Sequence, residues 1–317
     1  MKQLYLILCI VAFVFTTKAQ IPSDAIIVDL NGTGHFRNVQ QAIDSVRAYN
    51  PAGKVTIFIK KGFYKEKLEI PTHVCNLHII GEDKEKTILN YDDHALIDNM
   101  RTFKTYTLKI SGNDIVMENL TVENSAAPLA QAVALHVEGD RIVFRNCRFL
   151  GNQDTVYAGR ENSRQYFENC YVEGTTDFIF GPATVWFEQC VIFCKKNSYI
   201  TAANTPQQVP YGFIFNKCTV ELAEGVDAVY LGRPWRPYAM TVFIHCHLPE
   251  GIVPAGWDNW RNPENEKTVR YAEYNNTGPG AIRTNRVAWS RELTAEEQKI
   301  LILNQVLKGF DDWKPAV

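Results

Sequence analysis

An all-β chain wound as a parallel β-helix is what this sequence predicts, and three observations carry that reading. A short cysteine-centred unit recurs every 20–30 residues, alternating strand patterns lie between Asn- and Gly-containing turns, and helical periodicity is confined to the two ends.

The repeat is visible around the cysteines. Cys147, Cys170, Cys190, Cys218 and Cys246 each follow an aromatic residue by three positions and precede an apolar residue by two. Leu120 takes the cysteine place in a sixth copy, and the successive spacings are 27, 23, 20, 28 and 28 residues. Self-similarity at that period marks a solenoid, in which each unit buries its apolar face only against its neighbours. One coil per repeat makes the cysteines an internal stack of small, buried, mostly reduced side chains. Neighbouring rungs lie about 4.8 Å apart, a spacing a disulfide can bridge. Cys170 and Cys190, joined by the shortest coil, are the pair a bridge would join; a reduced ladder is the alternative.

An open solenoid end exposes core and unpaired strand edges, so covering elements are expected there. Asn38 to Arg47 reads as a short amphipathic helix through Val39, Ala42, Ile43 and Val46. Thr294 to Glu297 forms a capping box, followed by Ile300, Leu303 and Leu307 on one face.

Residues 1–19 read as a signal peptide: Lys2, an apolar run from Leu4 to Phe15, and Thr17-Lys18-Ala19 before Gln20. The run is too short for a comfortable membrane span and none follows, so a secreted or periplasmic protein is expected. Residues 20–317 are expected to form one domain, since no linker or low-complexity tract divides them. Without Lys2 and Lys18 the chain holds 31 basic and 35 acidic residues, a formal charge of −4. That balance offers no footprint for nucleic acid or an anionic membrane. Loss of Cys9 with the signal leaves seven cysteines, an odd number that argues against a closed disulfide framework.

Chemistry enters where two repeats align without a gap. Asn146 to Asp154 and Asn169 to Asp177 share the pattern Asn-Cys-x-apolar-x-Gly-x-x-Asp, offset by 23 residues. Asp154 and Asp177 are therefore expected on successive rungs, while Asn197 takes that place in the next unit and ends the carboxylate series. Stacked carboxylates repel, so one should stay protonated as a general acid while the other remains ionised as a nucleophile. Turn-ending aspartates are the plainer alternative. Gln131 lies another 23 residues before Asp154, and Gln153 adjoins it. Amide N–H groups near two carboxylates suit a developing oxyanion.

At these residues the chain resembles the pectin methylesterases along nearly its whole mature length. The matching motifs, in the family's order, are Gly62-Phe-Tyr64-Lys-Glu66, Gln131-Ala-Val-Ala-Leu135, Gly151-Asn-Gln153-Asp154-Thr-Val-Tyr157, Asp177-Phe-Ile-Phe-Gly181 and Leu231-Gly-Arg233-Pro-Trp235. The resemblance implies a right-handed parallel β-helix that hydrolyses the methyl ester at galacturonate C6 of pectin. By matching motifs, Asp177 would be the nucleophile, Asp154 the acid and then base, and Gln131 with Gln153 the oxyanion hole. Arg233 would hold Asp177 ionised through a charge-assisted hydrogen bond. Trp235, Tyr157 and Phe178 are candidate sugar platforms. Asn152 and His136 depart from the commoner family residues at their positions.

A pectin depolymerase or a non-catalytic carbohydrate-binding β-helix are the rival readings, since paired aspartates also serve glycoside hydrolysis. A serine hydrolase is disfavoured because no Gly-x-Ser-x-Gly elbow occurs. The seven histidines show no pair at metal-ligand spacing, so neither a metal nor a cofactor is expected. The expected partner is the homogalacturonan polymer, met by a monomer.

Overall fold

A computed structural model describes residues 22–50 and 53–315. The signal-peptide reading of residues 1–19 lies outside the described residues. Among the described residues no helix is long and apolar enough to cross a membrane.

The chain is a right-handed parallel β-helix of three sheets, with 11, 7 and 7 strands, every named strand pair being parallel. From Val55 to Gly232 the coils visit the sheets in one order. Ile142–Arg145 belongs to the 11-stranded sheet A, Arg148–Leu150 to sheet B, and Val156–Ala158 to sheet C; Arg164–Glu168 then returns to A.

The turn from A to B explains the repeat. It holds two residues, and the first takes positive φ on every repeat rung: Asn119 at 57°, Asn146 at 49°, Asn169 at 52°, Gln189 at 53°, Lys217 at 54° and His245 at 54°. Asn tolerates this left-handed region better than most residues, which accounts for its recurrence there. The second residue then points inward, where the Cys147, Cys170, Cys190, Cys218 and Cys246 thiols stack in the core. Each thiol donates to a carbonyl of the preceding rung, as Cys170 does to Phe144 at 3.5 Å and Cys190 to Phe167 at 3.5 Å. All seven cysteines of the described residues are free, so no Cys170–Cys190 bridge forms and the reduced ladder holds.

The aromatic residues of the repeat form a second internal column. Phe144, Phe167, Phe187, Phe215 and Phe243 follow one another at centroid distances of 4.6, 4.8, 4.5 and 4.4 Å, all fully buried. Burying one such side chain stabilises the fold by roughly 1.5–3 kcal/mol, so each ring of the column adds to the driving force.

The helix is shorter than the expected Asn38 to Arg47: Val39–Asp44 buries Val39, Ala42 and Ile43, and Val46 is buried beyond its end. Its first turn is capped from outside, because Glu66 accepts the Val39 and Gln40 N–H groups at 2.9 and 3.1 Å. The Thr294 capping box is present, with both reciprocal bonds, at the start of Ala295–Ile300. Two details at this end differ from the sequence expectation. The helix stops at Ile300, which is exposed, and Leu301 is buried instead. The C-terminal segments also pack on the outer face of sheet A, where Val143, Tyr166, Trp186, Ile214 and Val242 make an apolar strip that needs cover.

Candidate active site

The repeated Gly-x-x-Asp is the turn from sheet B to sheet C. A Cβ on Gly174 would stand 2.2 Å from the Phe178 Cβ, and one on Gly151 would stand 2.7 Å from the Thr155 hydroxyl. The chain folds back on itself four residues later, so glycine is required at the turn. The aspartate before the fold-back is left in the left-handed region, at φ 66° for Asp154 and 49° for Asp177. Asp tolerates this region better than most residues, so the turn accepts it at both places.

Register brings the pair together. Val156 opposes Ile179 across sheet C, which puts Asp154 against Asp177 one rung away, and the Asp154 N–H donates to Thr176 O at 3.1 Å. The expectation for the next rung needs correction. Ile179 opposes Thr201, so the column continues to Tyr199 rather than Asn197, and the Asp177 N–H donates to Tyr199 O at 2.9 Å. Asn197 sits in a turn lengthened by two residues, where it binds Asp227.

A cavity of about 240 Å³ is lined by Thr102, Phe103, Gln131, Gln153, Asp154, Asp177, Phe180, Ala202, Arg233, Trp235 and Trp260. Six of the eight residues nominated from sequence are among them. Arg233 follows the sheet C strand Tyr230–Gly232 and binds Asp177 through two parallel bonds, Nε to Oδ1 at 3.0 Å and Nη2 to Oδ2 at 2.7 Å. The Gln131 loop is pinned by its carbonyl, which accepts from Ala95 at 2.9 Å. Behind it the buried Asn124 amide donates to Asp93, Thr105 and Val133 carbonyls. Neither the Gln131 nor the Gln153 side-chain amide has a protein partner among the described residues, so both are available to a substrate oxygen.

Burial, followed by the neighbouring Asp177 charge, pushes the Asp154 carboxyl well above the usual aspartate range. Asp177 is also raised by burial, but the Arg233 hydrogen bonds and charge oppose that rise. The sequence expectation that one carboxyl stays low is thus replaced by two raised groups, Asp154 the more strongly, because desolvation outweighs the guanidinium at Asp177. A protonated Asp154 beside an Arg-paired Asp177 can supply a proton donor and an anionic nucleophile together.

The platforms divide. Trp235 lines the cavity. Tyr157 lies just outside it in the same aromatic wall, 4.8 Å from Phe103 and 4.9 Å from Phe180 between centroids. Phe178 is 1% exposed and belongs to the central core, so it presents no ring to a sugar. The fold-back after Asp177 turns it inward, and the outward place falls to Phe180, the register partner of Tyr157. The 23-residue offset that paired the aspartates also pairs Tyr157 with Phe180, a signal present in the sequence. Phe103, Thr102 and Trp260 reach the cavity from distant loops and carried no such signal.

Among the described residues no group of three or more His, Cys, Asp or Glu side chains is arranged to hold a metal ion.

Comparison with known proteins gives consistent matches. The family model for Pectinesterase spans residues 25–305. Pectinesterase 31 of Arabidopsis thaliana is 37% identical over 281 residues, covering 85% of this chain and 88% of its own. Other curated relatives are longer: the chain spans 45% of the probable pectinesterase/pectinesterase inhibitor 21 of Arabidopsis thaliana, at 34% identity over 92% of this chain. Among solved structures, pectin methylesterase from carrot superposes with a TM-score of 0.87 at 28% identity, covering 92% of this chain and 95% of its own. A pectin methylesterase in complex with a hexasaccharide matches with a TM-score of 0.79 at 28% identity, over 94% of this chain and all of its own.

Proposed function

The chain belongs to the pectinesterase family, and from this premise we propose that it demethylates pectin with Asp177 as nucleophile, Asp154 as acid and base, and Gln131 and Gln153 as oxyanion donors. The enzyme type and overall reaction are those of a pectin methylesterase, hydrolysis of the galacturonate methyl ester to a carboxylate and methanol.

The observation that carries the residue roles is the asymmetry of the carboxylate pair. Asp177 is bound on both oxygens by Arg233, whereas Asp154 has no such partner among the described residues and is pushed by burial, then by the Asp177 charge, well above the usual aspartate range. Each Asp177 oxygen keeps a second lone pair, and one attacks the ester carbon. The carbonyl electrons move onto oxygen, where the Gln131 and Gln153 N–H groups receive the negative charge. Collapse breaks the carbon–methoxy bond as Asp154 delivers its proton, and methanol leaves an acyl-Asp177 anhydride. Asp154, now a carboxylate, takes a proton from water, which attacks the galacturonyl carbon and frees Asp177. The water proton left on Asp154 restores its acid form.

Trp235 on the cavity wall, packed in one cluster with Phe180 and Tyr157, supports binding of sugars, since ring faces cover the apolar faces of pyranoses. A relative solved with a hexasaccharide is in keeping with a polymeric substrate. We extend the proposal to export, on the strength of the Lys2 to Ala19 pattern.

The test is incubation of the purified protein with highly methylated pectin, following methanol, new carboxylates and chain length together. Methanol and carboxylate in equal amounts with unchanged chain length support the esterase. Shortened chains without methanol refute it.

A further inference from the structure

The Arg233 guanidinium is held on its faces as well as its edge. Its Cζ lies 3.9 Å from the centroid of the Tyr199 ring and 3.7 Å from that of Trp260. Two rings that close cannot share one side of a planar group, so they occupy opposite faces. Tyr199 is backed in turn by Tyr230, its register partner in sheet C, at 5.2 Å and 27°. The result is a four-layer stack of Tyr230, Tyr199, Arg233 and Trp260. Trp260 lines the cavity, whereas Tyr199 stands behind the guanidinium and outside the cavity lining.

We propose that Tyr199 is a positioning residue for the reaction, its ring closing with Trp260 on the Arg233 guanidinium so that the fork meets Asp177 in the carboxylate plane. The inference rests on the reading of Asp177 as nucleophile. A guanidinium pressed between two π faces has lost the rotations by which an arginine swings away from its partner. Cation–π attraction strengthens as the cation is desolvated, and Arg233 is more than half withdrawn from solvent at this place. The position is significant in the repeat. The column that carries Asp154 and Asp177 on two rungs continues with Tyr199 and Tyr230, so the solenoid supplies the carboxylates and the clamp from one stacked series.

The charged or titratable groups around Asp177 are Arg233, Asp154, Asp258, Tyr199 and Tyr271. Of these only Arg233 favours the ionised nucleophile. A loosened guanidinium therefore lets the Asp177 carboxyl titrate higher, and the acid limb of kcat/KM moves to higher pH.

The test compares Tyr199→Leu, Tyr199→Phe and Asp177→Asn by methanol release from methylated pectin across pH. Tyr199→Leu is expected to lower kcat by roughly 5- to 30-fold with KM little changed, and to move the acid limb upward. Tyr199→Phe, which keeps the ring, is expected to rescue both. An unchanged kcat and acid limb in Tyr199→Leu overturns the clamp, as does equal loss in Tyr199→Phe, which assigns the effect to the hydroxyl. Should Tyr199→Leu fail to fold, Trp260→Leu removes the other ring and carries the same acid-limb expectation; an unmoved limb there overturns the proposal. Methanol release by Asp177→Asn refutes the nucleophile reading itself. An inactive Asp177→Asn beside an indifferent Tyr199→Leu overturns the clamp alone.

Discussion

Arg233 meets Asp177 with both arms of its fork, at 3.0 and 2.7 Å, from just beyond a strand end and 56 residues further along the chain. Lysine at position 233 would offer a point charge in place of this planar contact. Arg233→Lys is expected to reduce kcat by roughly 10- to 100-fold, in line with the loss of a charge-assisted hydrogen bond. Steady-state kinetics on methylated pectin check it, and a near-normal kcat would show that charge alone suffices.

The two aspartates should be separable by leaving group. Methoxide leaves poorly, so Asp177→Asn and Asp154→Asn are both expected to be nearly inactive on the methyl ester. An activated aryl ester of galacturonate needs little help from a proton donor. With it, Asp154→Asn should release a burst of alcohol and stall as acyl-enzyme, while Asp177→Asn releases none. Rapid-quench measurement decides, and the opposite pattern reverses the assigned roles.

Gln131→Leu removes an N–H whose value grows as charge develops on the carbonyl oxygen. A loss of roughly 10²- to 10³-fold in kcat is expected, with KM little altered. Should a folded variant keep its turnover, Gln131 would be a wall residue only.

Burial of Asp154 also bears on stability. Its folded-state pKa lies above the ordinary aspartate value of about 3.9, so the folded protein binds the proton more tightly than the unfolded chain. The contribution of Asp154 to stability is therefore fully present below about pH 3.9 and is lost as pH rises from there through the folded value. Asp154→Asn, which cannot ionise, is expected to unfold at a higher temperature than the parent at pH 7, with the gain vanishing at low pH. Melting curves at several pH values test this, and a lower Tm at neutral pH would contradict it.

Phe178 and Trp235 should respond in opposite ways. Phe178→Ala opens a cavity in the core and should cost about 3–5 kcal/mol of stability while leaving KM unaltered in the folded fraction. Trp235→Ala should raise KM for pectin by roughly 3- to 10-fold with a small change in Tm. A weakened KM in Phe178→Ala at full folding would return that ring to the cleft.

The coil, its period and the carboxylate pair were legible because a solenoid repeats its local rules. The residue before each cysteine marks a left-handed turn, and Gly151 and Gly174 mark identical fold-backs, so equal spacing meant equal place. That logic failed where the coil changed length. Two extra residues before Tyr199 moved Asn197 out of the column, and the inward swing after Asp177 exchanged Phe178 for Phe180.

By itself the sequence determined what is periodic and local: the parallel coil, the buried cysteine column, the Thr294 capping box and two aspartates on adjoining rungs. Tertiary structure alone decided what reaches the cleft from afar. Phe103 and Trp260 come from loops that share no repeat with Asp177, and the stacking of Arg233 between Tyr199 and Trp260 depends on where those loops cross. The protonation of the pair was likewise decided there, since desolvation is set by everything packed around a carboxyl and not by its neighbours in sequence.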